Sequence, residues 1–200
     1  MPRAMLLSLA AFALVVSACS RTDDPYADKP AEAPPQVVQA AEARAERAAD
    51  HLARALIEEL QRAIAEGGYA HALQVCRDAA ESIRTEVSAG EGVDVRRTSL
   101  RVRNPANAPD AWERATLQSW AQAAAVPAPV SAVVESAGSI ELRWMRPITL
   151  IDLCVNCHGP PDRLAPGVPE ALARSYPYDE ATGFLAGELR GAFSVRVPLE

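Results

Sequence analysis

The residues with the clearest chemical meaning are Cys154-Val155-Asn156-Cys157-His158, a CxxCH sequence. Two cysteines at this spacing, followed at once by a histidine, form the attachment site of c-type haem. Each cysteine sulfur would bond to one vinyl group of the porphyrin, and the histidine would bind the iron through a neutral imidazole nitrogen. The sequence therefore predicts one covalent haem c held by Cys154, Cys157 and His158.

Two other kinds of site also contain closely spaced cysteines. A thioredoxin-type CxxC needs a βαβ context, which the flanking sequence does not show, and it leaves His158 without a role. A structural zinc site needs a second pair of ligands, and the chain contains no second CxxC and no HxxxH. Haem remains the best interpretation of the motif.

The N-terminal segment resembles a bacterial export signal. Residues 1–18 contain Arg3 near the start and then an apolar run from Ala4 to Val16, which is too short for a stable membrane span. Cys19 follows at the position that bacterial lipoproteins modify with lipid. We therefore predict a signal peptide over 1–18 and lipidation of Cys19. The protein would lie on the periplasmic side of a bacterial membrane, attached only through this lipid anchor.

Charge and composition limit which partners and how many domains the rest of the chain can have. The formal net charge is −6 and no basic cluster is present, which argues against nucleic acid or an anionic membrane surface as a partner. Residues 19–36 are polar and rich in proline, so we predict a disordered tether behind the lipidated cysteine. Residues 37–200 amount to one domain.

Hydrophobic periodicity divides this domain into helices and strands. Apolar residues at helical spacing predict a long helix over 37–65, ended by Gly67-Gly68, and a second helix over 69–88. Helices are also predicted over 111–124, where Asp110 provides the cap, and over 150–157 and 169–175. The predicted strands are 93–102, 129–135, 139–147 and 191–199, with a turn at Gly138 between the second and third. Helices first and antiparallel strands later predict an α+β fold.

A haem iron held by His158 has an opposite side that a second ligand can occupy. Each residue of a helix turns about 100°. With this rotation Cys76 lies at the centre of an apolar stripe of its helix, and His71 lies about 140° away from Cys76. His51 lies on the side of its own helix that is opposite to the apolar stripe. Both histidines should therefore face water. Met145 is on a predicted strand that could face the core. From the residues alone, Cys76, Met145 and an open or water-bound iron all remain candidates, because a buried cysteine is often only a small hydrophobe.

A longer series of motifs resembles a known family. The series includes Val75-Cys76-Arg77, Arg97-Thr98-Ser99-Leu100-Arg101, Arg103-Asn104-Pro105, Trp112-Glu113, Arg146-Pro147-Ile148, Tyr176-Pro177 and Arg190-Gly191-Ala192, together with the CxxCH sequence and Gly159. Over about residues 37–199 it resembles the Tll-type family of single-haem c proteins. The resemblance implies a PAS-like fold, with helices packed on a small antiparallel sheet. It also implies axial ligation by the CxxCH histidine and a cysteine thiolate, here His158 and Cys76.

The resemblance implies a class of function as well. Similar domains occur alone or as extracytoplasmic sensors of bacterial signalling proteins. A thiolate ligand stabilises Fe(III) and lowers the reduction potential, which suits a redox or small-ligand sensor module or an auxiliary redox protein. The alternative is an electron-transfer cytochrome that serves an exported oxidoreductase. We expect no enzymatic activity, and an unidentified redox or signalling protein as the partner.

Three arginines and a group of turn residues are further candidates. Arg97, Arg101 and Arg103 could pair with the haem propionates, although arginines on a strand are more often part of a solvated face. The second group is expected only to fix turns and loop backbone: Asn104, Asn107, Asp110, Asp179, Thr182 and Gly183.

Overall fold

Five strands and four helices make up the part of the chain that the computed structural model describes, residues 28–199. The strands are β1 (Lys29–Pro30), β2 (Asp94–Thr98), β3 (Val130–Ser136), β4 (Ser139–Thr149) and β5 (Leu189–Pro198). The helices are α1 (Pro35–Glu91), α2 (Ala111–Trp120), α3 (Asp152–His158) and α4 (Val168–Ser175), with short 3₁₀ turns at Pro105–Asn107 and Pro161–Arg163. The strands form one antiparallel sheet in the order β1-β3-β4-β5-β2. The predicted α+β fold, with helices on a small antiparallel sheet, is confirmed.

Helix α1 is a hairpin of two helical arms that meet at Gly68. This glycine has φ 75° and ψ −175°, which is not a helical conformation and which L side chains rarely adopt. Arg44 Nε donates to the Glu91 carbonyl at 3.1 Å, although residues this far apart would be about 70 Å apart in an unbroken helix. The chain therefore turns back at Gly68, and the two helices predicted on either side of Gly67-Gly68 are confirmed.

The α1 hairpin covers one face of the sheet. Its first arm approaches the strands closely because Ala45, Ala48 and Ala49 have no exposed surface and no bulk to hold the helix away. Side chains from both arms and from strands β2, β4 and β5, with Val93 just before β2, form the main core: Ala41, Ala45, Ala48, Ala49, Leu52, Val87, Val93, Val95, Leu142, Trp144, Phe193, Val195 and Val197.

Helix α2 covers the opposite face. Asp110 caps it as predicted, since the carboxylate accepts from the Glu113 amide at 2.9 Å. Leu117 and Trp120 pack against Met145 in a separate apolar cluster. Successive residues of a strand point to opposite faces, so Met145 lies on the α2 side while its neighbour Trp144 lies in the α1 core.

Two local turns set the ends of β2, β3 and β4. Ala137 and Gly138, between β3 and β4, have φ of 50° and 81°, which is the type I′ pattern that suits a two-residue hairpin and confirms the predicted turn. β2 ends at Thr98, earlier than the predicted 102. The hydroxyl of Ser99 accepts from the Arg101 amide at 3.1 Å and turns the chain out of the sheet.

The prediction of a disordered tether over 19–36 is wrong near its C-terminal end, where β1 is formed. β1 pairs antiparallel with β3, and the Ala31 amide donates to the Val133 carbonyl at 3.0 Å. Asp28 accepts from Arg143 Nη1 at 2.6 Å. The composition of residues 19–36 does not reveal this strand, because proline is tolerated at a sheet edge and because Arg143, the partner of Asp28, is remote in sequence. The predicted signal peptide and Cys19 lie outside the described residues.

Helices long and apolar enough to cross a membrane do not occur within residues 28–199.

Replacing Asp28 by asparagine is expected to destabilise the protein by about 1–3 kcal/mol at neutral pH and to flatten its loss of stability in acid. Partial burial acts to raise the pKa of Asp28, but a hydrogen bond with Ser136 and the charges of Arg196 and Arg143 lower it further, so the net pKa is below its ordinary value. Folding is therefore favoured by the ionised form, and that contribution disappears as pH falls below about 4.

Urea unfolding of wild type and Asp28→Asn between pH 7 and pH 3 measures this effect. Glu32→Gln is the matched control, because it removes the same charge from an exposed residue of the same segment. An Asp28→Asn protein that parallels wild type over the whole pH range would contradict the role assigned to this ion pair.

Candidate functional site

The CxxCH sequence occupies α3, which follows β4 directly. Leu150, two residues before the helix, is held to the segment that leads into β5, since the Leu150 amide donates to the Glu188 carbonyl at 2.9 Å and the Gly187 amide donates to the Leu150 carbonyl at 2.7 Å. The chain leaves the helix through Gly159, where a Cβ would lie 2.5 Å from the Val155 carbonyl oxygen. Glycine is therefore required directly after His158, and both cysteines and the histidine are presented on two helical turns.

His158 is held as a neutral imidazole with a defined proton position. Its Nδ1 lies 2.6 Å from the Ala181 carbonyl oxygen, which can only accept, so Nδ1 carries the proton. Burial, reinforced by the charges of Arg103 and Arg190, holds the pKa of His158 well below its usual range. Nε2 consequently keeps its lone pair. This is the form of histidine that binds a metal ion, with the other ring nitrogen donating to a carbonyl.

Cys76 lies beside the CxxCH helix, on the second arm of α1. Cys157 packs against the cluster of Leu73, which is one helical turn before Cys76, and Tyr176 joins the same cluster from the end of α4. The predicted apolar stripe is confirmed because Ala72 and Leu73 are buried and Cys76 is partly buried. Helix phase and tertiary packing together bring a third sulfur to the two haem-type cysteines.

Both cysteines of the CxxC pair have a pKa above the ordinary value. Burial raises the pKa of Cys157 to about 11, and the nearby Cys154 and Cys76 add to the rise while Arg103 opposes it. Burial also raises the pKa of Cys154. A thioredoxin-type pair requires the opposite shift, because its attacking cysteine is activated by a lowered pKa. The raised pKa of both cysteines therefore disfavours thioredoxin-type dithiol chemistry at this CxxC.

Positively charged side chains gather around His158. Arg97, Arg103 and Arg190 each act to lower its pKa. Burial lowers the pKa of Arg190 to about 10, so it remains charged at neutral pH. Burial also lowers the pKa of Arg97, and only Cys76 and Tyr176 oppose this, with no carboxylate of the described residues among the opposing groups. The site holds a surplus of positive charge suited to an anionic group.

Comparison with known proteins identifies the family. A family model described as Tll0287-like matches residues 36–198. This chain belongs to the Tll0287-like family. The crystal structure of the cyanobacterial heme-protein Tll0287 matches the fold with a TM-score of 0.58 at 24% identity, covering 84% of this chain and 98% of that chain. A search of curated proteins finds no match to the chain. The resemblance predicted from the motifs is confirmed.

Two of the three arginines predicted to pair with propionates have other partners in this member of the Tll0287-like family. Arg103 forms an ion pair with Asp179, and its Nη2 also donates to the Cys157 carbonyl at 2.6 Å. Arg101 is exposed and donates to the Glu180 carbonyl at 2.9 Å. Arg97 remains a candidate. Arg190 was not singled out from the sequence as a site residue, although it is part of one of the family motifs.

The other histidines and Met145 are not brought to the CxxCH helix. His51 and His71 are exposed, as the helix phase predicts, and His51 Nδ1 lies 3.2 Å from a Glu91 carboxylate oxygen. Met145 has no exposed surface and lies in the α2 cluster, on the opposite face of the sheet from Cys76. Of the alternatives that the sequence left open for a protein ligand, the structure places only Cys76 at the site.

Asn104 and Asp179 have the structural roles predicted for them. The Asn104 side chain accepts from the Ala106 amide at 3.0 Å. Asp179 accepts from the Ala181 amide at 2.9 Å, which forms the predicted turn. The ion pair of Asp179 with Arg103 could not be predicted, because it joins two loops that are far apart in sequence.

Proposed function

We propose that this chain binds one haem c through thioether bonds to Cys154 and Cys157, with His158 and Cys76 as the two axial ligands of the iron. The observation that carries the proposal is that Leu73, one helical turn before Cys76, shares an apolar cluster with Cys157, although the two segments are distant in the chain. Membership of the Tll0287-like family supports it, since the related solved structure is that of a heme-protein.

The residues present fit such a group. In the described part of the chain, no three His, Cys, Asp or Glu side chains form a cluster that could hold a metal ion alone. A porphyrin supplies four nitrogen ligands itself, so one neutral histidine and one thiolate complete the coordination. Tyr69 and Ala70 are partly buried in the same cluster as Cys157 and would supply apolar surface to a flat ring. Arg97 would pair with a propionate, and Arg190 adds positive charge, although its Nη1 already donates to Ser99 Oγ at 2.8 Å.

The proposed ligands favour a role in sensing. A thiolate donates charge to Fe(III) and lowers the reduction potential. Arg97 supports the thiolate form because its charge opposes the rise that burial causes in the pKa of Cys76. We therefore infer a redox or small-ligand sensor module, or an auxiliary redox protein. It would be exported, lipid-anchored at Cys19, and act through a redox or signalling partner on the periplasmic side.

An electron carrier for an exported oxidoreductase is the second candidate. Redox titration and spectra of the full chain, exported in a bacterium with a haem-attachment system, distinguish the two. A sensor should have a low-spin ferric spectrum, a potential below that of respiratory carriers, and CO or NO binding after reduction. A high potential with no binding of either gas would favour the carrier. A protein that contains no haem would refute both.

A further inference from the structure

The segment 179–184 wraps around the end of α3 and is held there by backbone hydrogen bonds. The Phe184 amide donates to the His158 carbonyl at 2.9 Å, and the Gly183 amide donates to the Gly159 carbonyl at 2.8 Å. On the other side, the Glu180 amide donates to the Val102 carbonyl at 3.0 Å. The carbonyl of Ala181, at the centre of this segment, is the acceptor for His158 Nδ1.

An ion pair between Asp179 and Arg103 links this segment to the loop after β2 and to the CxxCH helix. Arg103 donates to the Asp179 carboxylate through Nε at 3.2 Å and through Nη2 at 3.0 Å. The Asp179 side chain is 8% exposed and that of Arg103 is 13% exposed. The same Nη2 donates to the Cys157 carbonyl at 2.6 Å, while Asp179 Oδ1 accepts from the Ala181 amide at 2.9 Å. The pair therefore connects the carbonyl of a haem-type cysteine to the residue that accepts from His158.

We propose that Asp179 is a positioning residue for His158: paired with Arg103, it holds the Ala181 carbonyl where it accepts the Nδ1 proton, and it thereby sets how strongly Nε2 donates to the haem iron. The proposal rests on the proposed function, because the effect on the iron requires bound haem. The Nδ1 proton of His158 goes to the Ala181 carbonyl and not to the Asp179 carboxylate. Asp179 acts through the backbone of one turn.

The chemistry requires a carboxylate at this position. Both oxygens of Asp179 accept from Arg103, and one of them also accepts from Ala181. An asparagine offers only one acceptor oxygen, and its amide nitrogen would face a guanidinium donor. The turn would then loosen and the Nδ1 hydrogen bond would weaken. Because that bond raises the basicity of a ligating imidazole, its weakening favours Fe(II).

Asp179→Asn is the test, with Glu180→Gln as the matched control. Glu180 is adjacent and exposed, so its variant removes the same charge without touching the ion pair. In the haem-loaded proteins we expect Asp179→Asn to shift the Fe(III)/Fe(II) equilibrium about tenfold towards Fe(II), which is 59 mV for one electron. The control should shift it less than threefold. Equal shifts in the two variants would overturn the proposal.

A second measurement keeps the proposal testable if the chain carries no haem. Nitrogen-15 NMR of the His158 ring reports the tautomer and the exchange of the Nδ1 proton with solvent. We expect a protected Nδ1 proton in wild type and Glu180→Gln, and at least tenfold faster exchange in Asp179→Asn. Arg103→Lys, which keeps the charge but loses the two-pronged contact, should behave like Asp179→Asn. Absence of haem refutes the proposed function, whereas unchanged exchange in both variants refutes the role of Asp179.

Discussion

Cys76→Ala is expected to retain covalently bound haem but to lose the low-spin ferric spectrum and to raise the reduction potential by roughly 0.1 V or more, since axial ligands set haem potentials over about 0.8 V. The thioether bonds depend on Cys154 and Cys157, so haem content should not change. Removal of the thiolate leaves one side of the iron to water or to no ligand. Fe(III) then loses the charge donation that favoured it.

Absorption and electron paramagnetic resonance spectra of both oxidation states measure the effect on the iron. Met145→Leu is the control, because Met145 is the other protein ligand that the sequence suggested and leucine preserves its volume in the α2 cluster. We expect the Met145→Leu spectrum to match wild type. A low-spin spectrum that survives Cys76→Ala but is lost in Met145→Leu would assign the ligand to Met145 and contradict the site described above.

Serine at both Cys154 and Cys157 is expected to abolish covalent haem attachment completely. Serine has no sulfur to add to the vinyl groups, and the change is nearly isosteric, so α3 and its contacts should persist. Each single variant should retain one thioether bond. The measurement is the intact mass of the polypeptide, combined with extraction of haem by acidified organic solvent, which removes haem only where no covalent bond holds it.

Cys76→Ser is the matched control for this pair, because it makes the same change at a cysteine proposed to bind iron rather than the porphyrin edge. Its polypeptide mass should still include the haem. If the Cys154/Cys157 double variant resists extraction as wild type does, attachment occurs elsewhere. If wild type itself releases all of its haem, the group is bound without thioether bonds, and the c-type assignment fails.

Several features of the fold follow from short segments and were predictable. The helical phase of 69–88 correctly places Cys76 on a buried stripe and His71 in solvent, because a helix fixes which side chains share a face. The break at Gly67-Gly68, the cap at Asp110 and the turn at Gly138 depend on one or two residues each. For the same reason CxxCH could be recognised, since its chemistry requires adjacent residues on one short helix.

Other features depend on which surfaces meet, and local patterns contain no such information. β1 was predicted as part of a tether because its anchoring arginine, Arg143, lies on a strand far along the chain. Met145 and Trp144 are adjacent and both apolar, and only the packing of α1 and α2 decides which face each one occupies. Nothing in the local sequence distinguishes Arg190 from other charged residues near strand ends. Only the fold brings it close to His158.

The sequence by itself determined the short helix that carries CxxCH and the family of the chain, because both depend on local spacing and on motif order. The tertiary structure alone decided that Cys76 faces that helix and that Met145 does not. It also decided that Asp179 pairs with Arg103 and that the Ala181 carbonyl accepts from His158 Nδ1. The physical reason is that a helix or a strand fixes the direction of its own side chains, whereas contacts between elements depend on how the whole sheet and its helices pack.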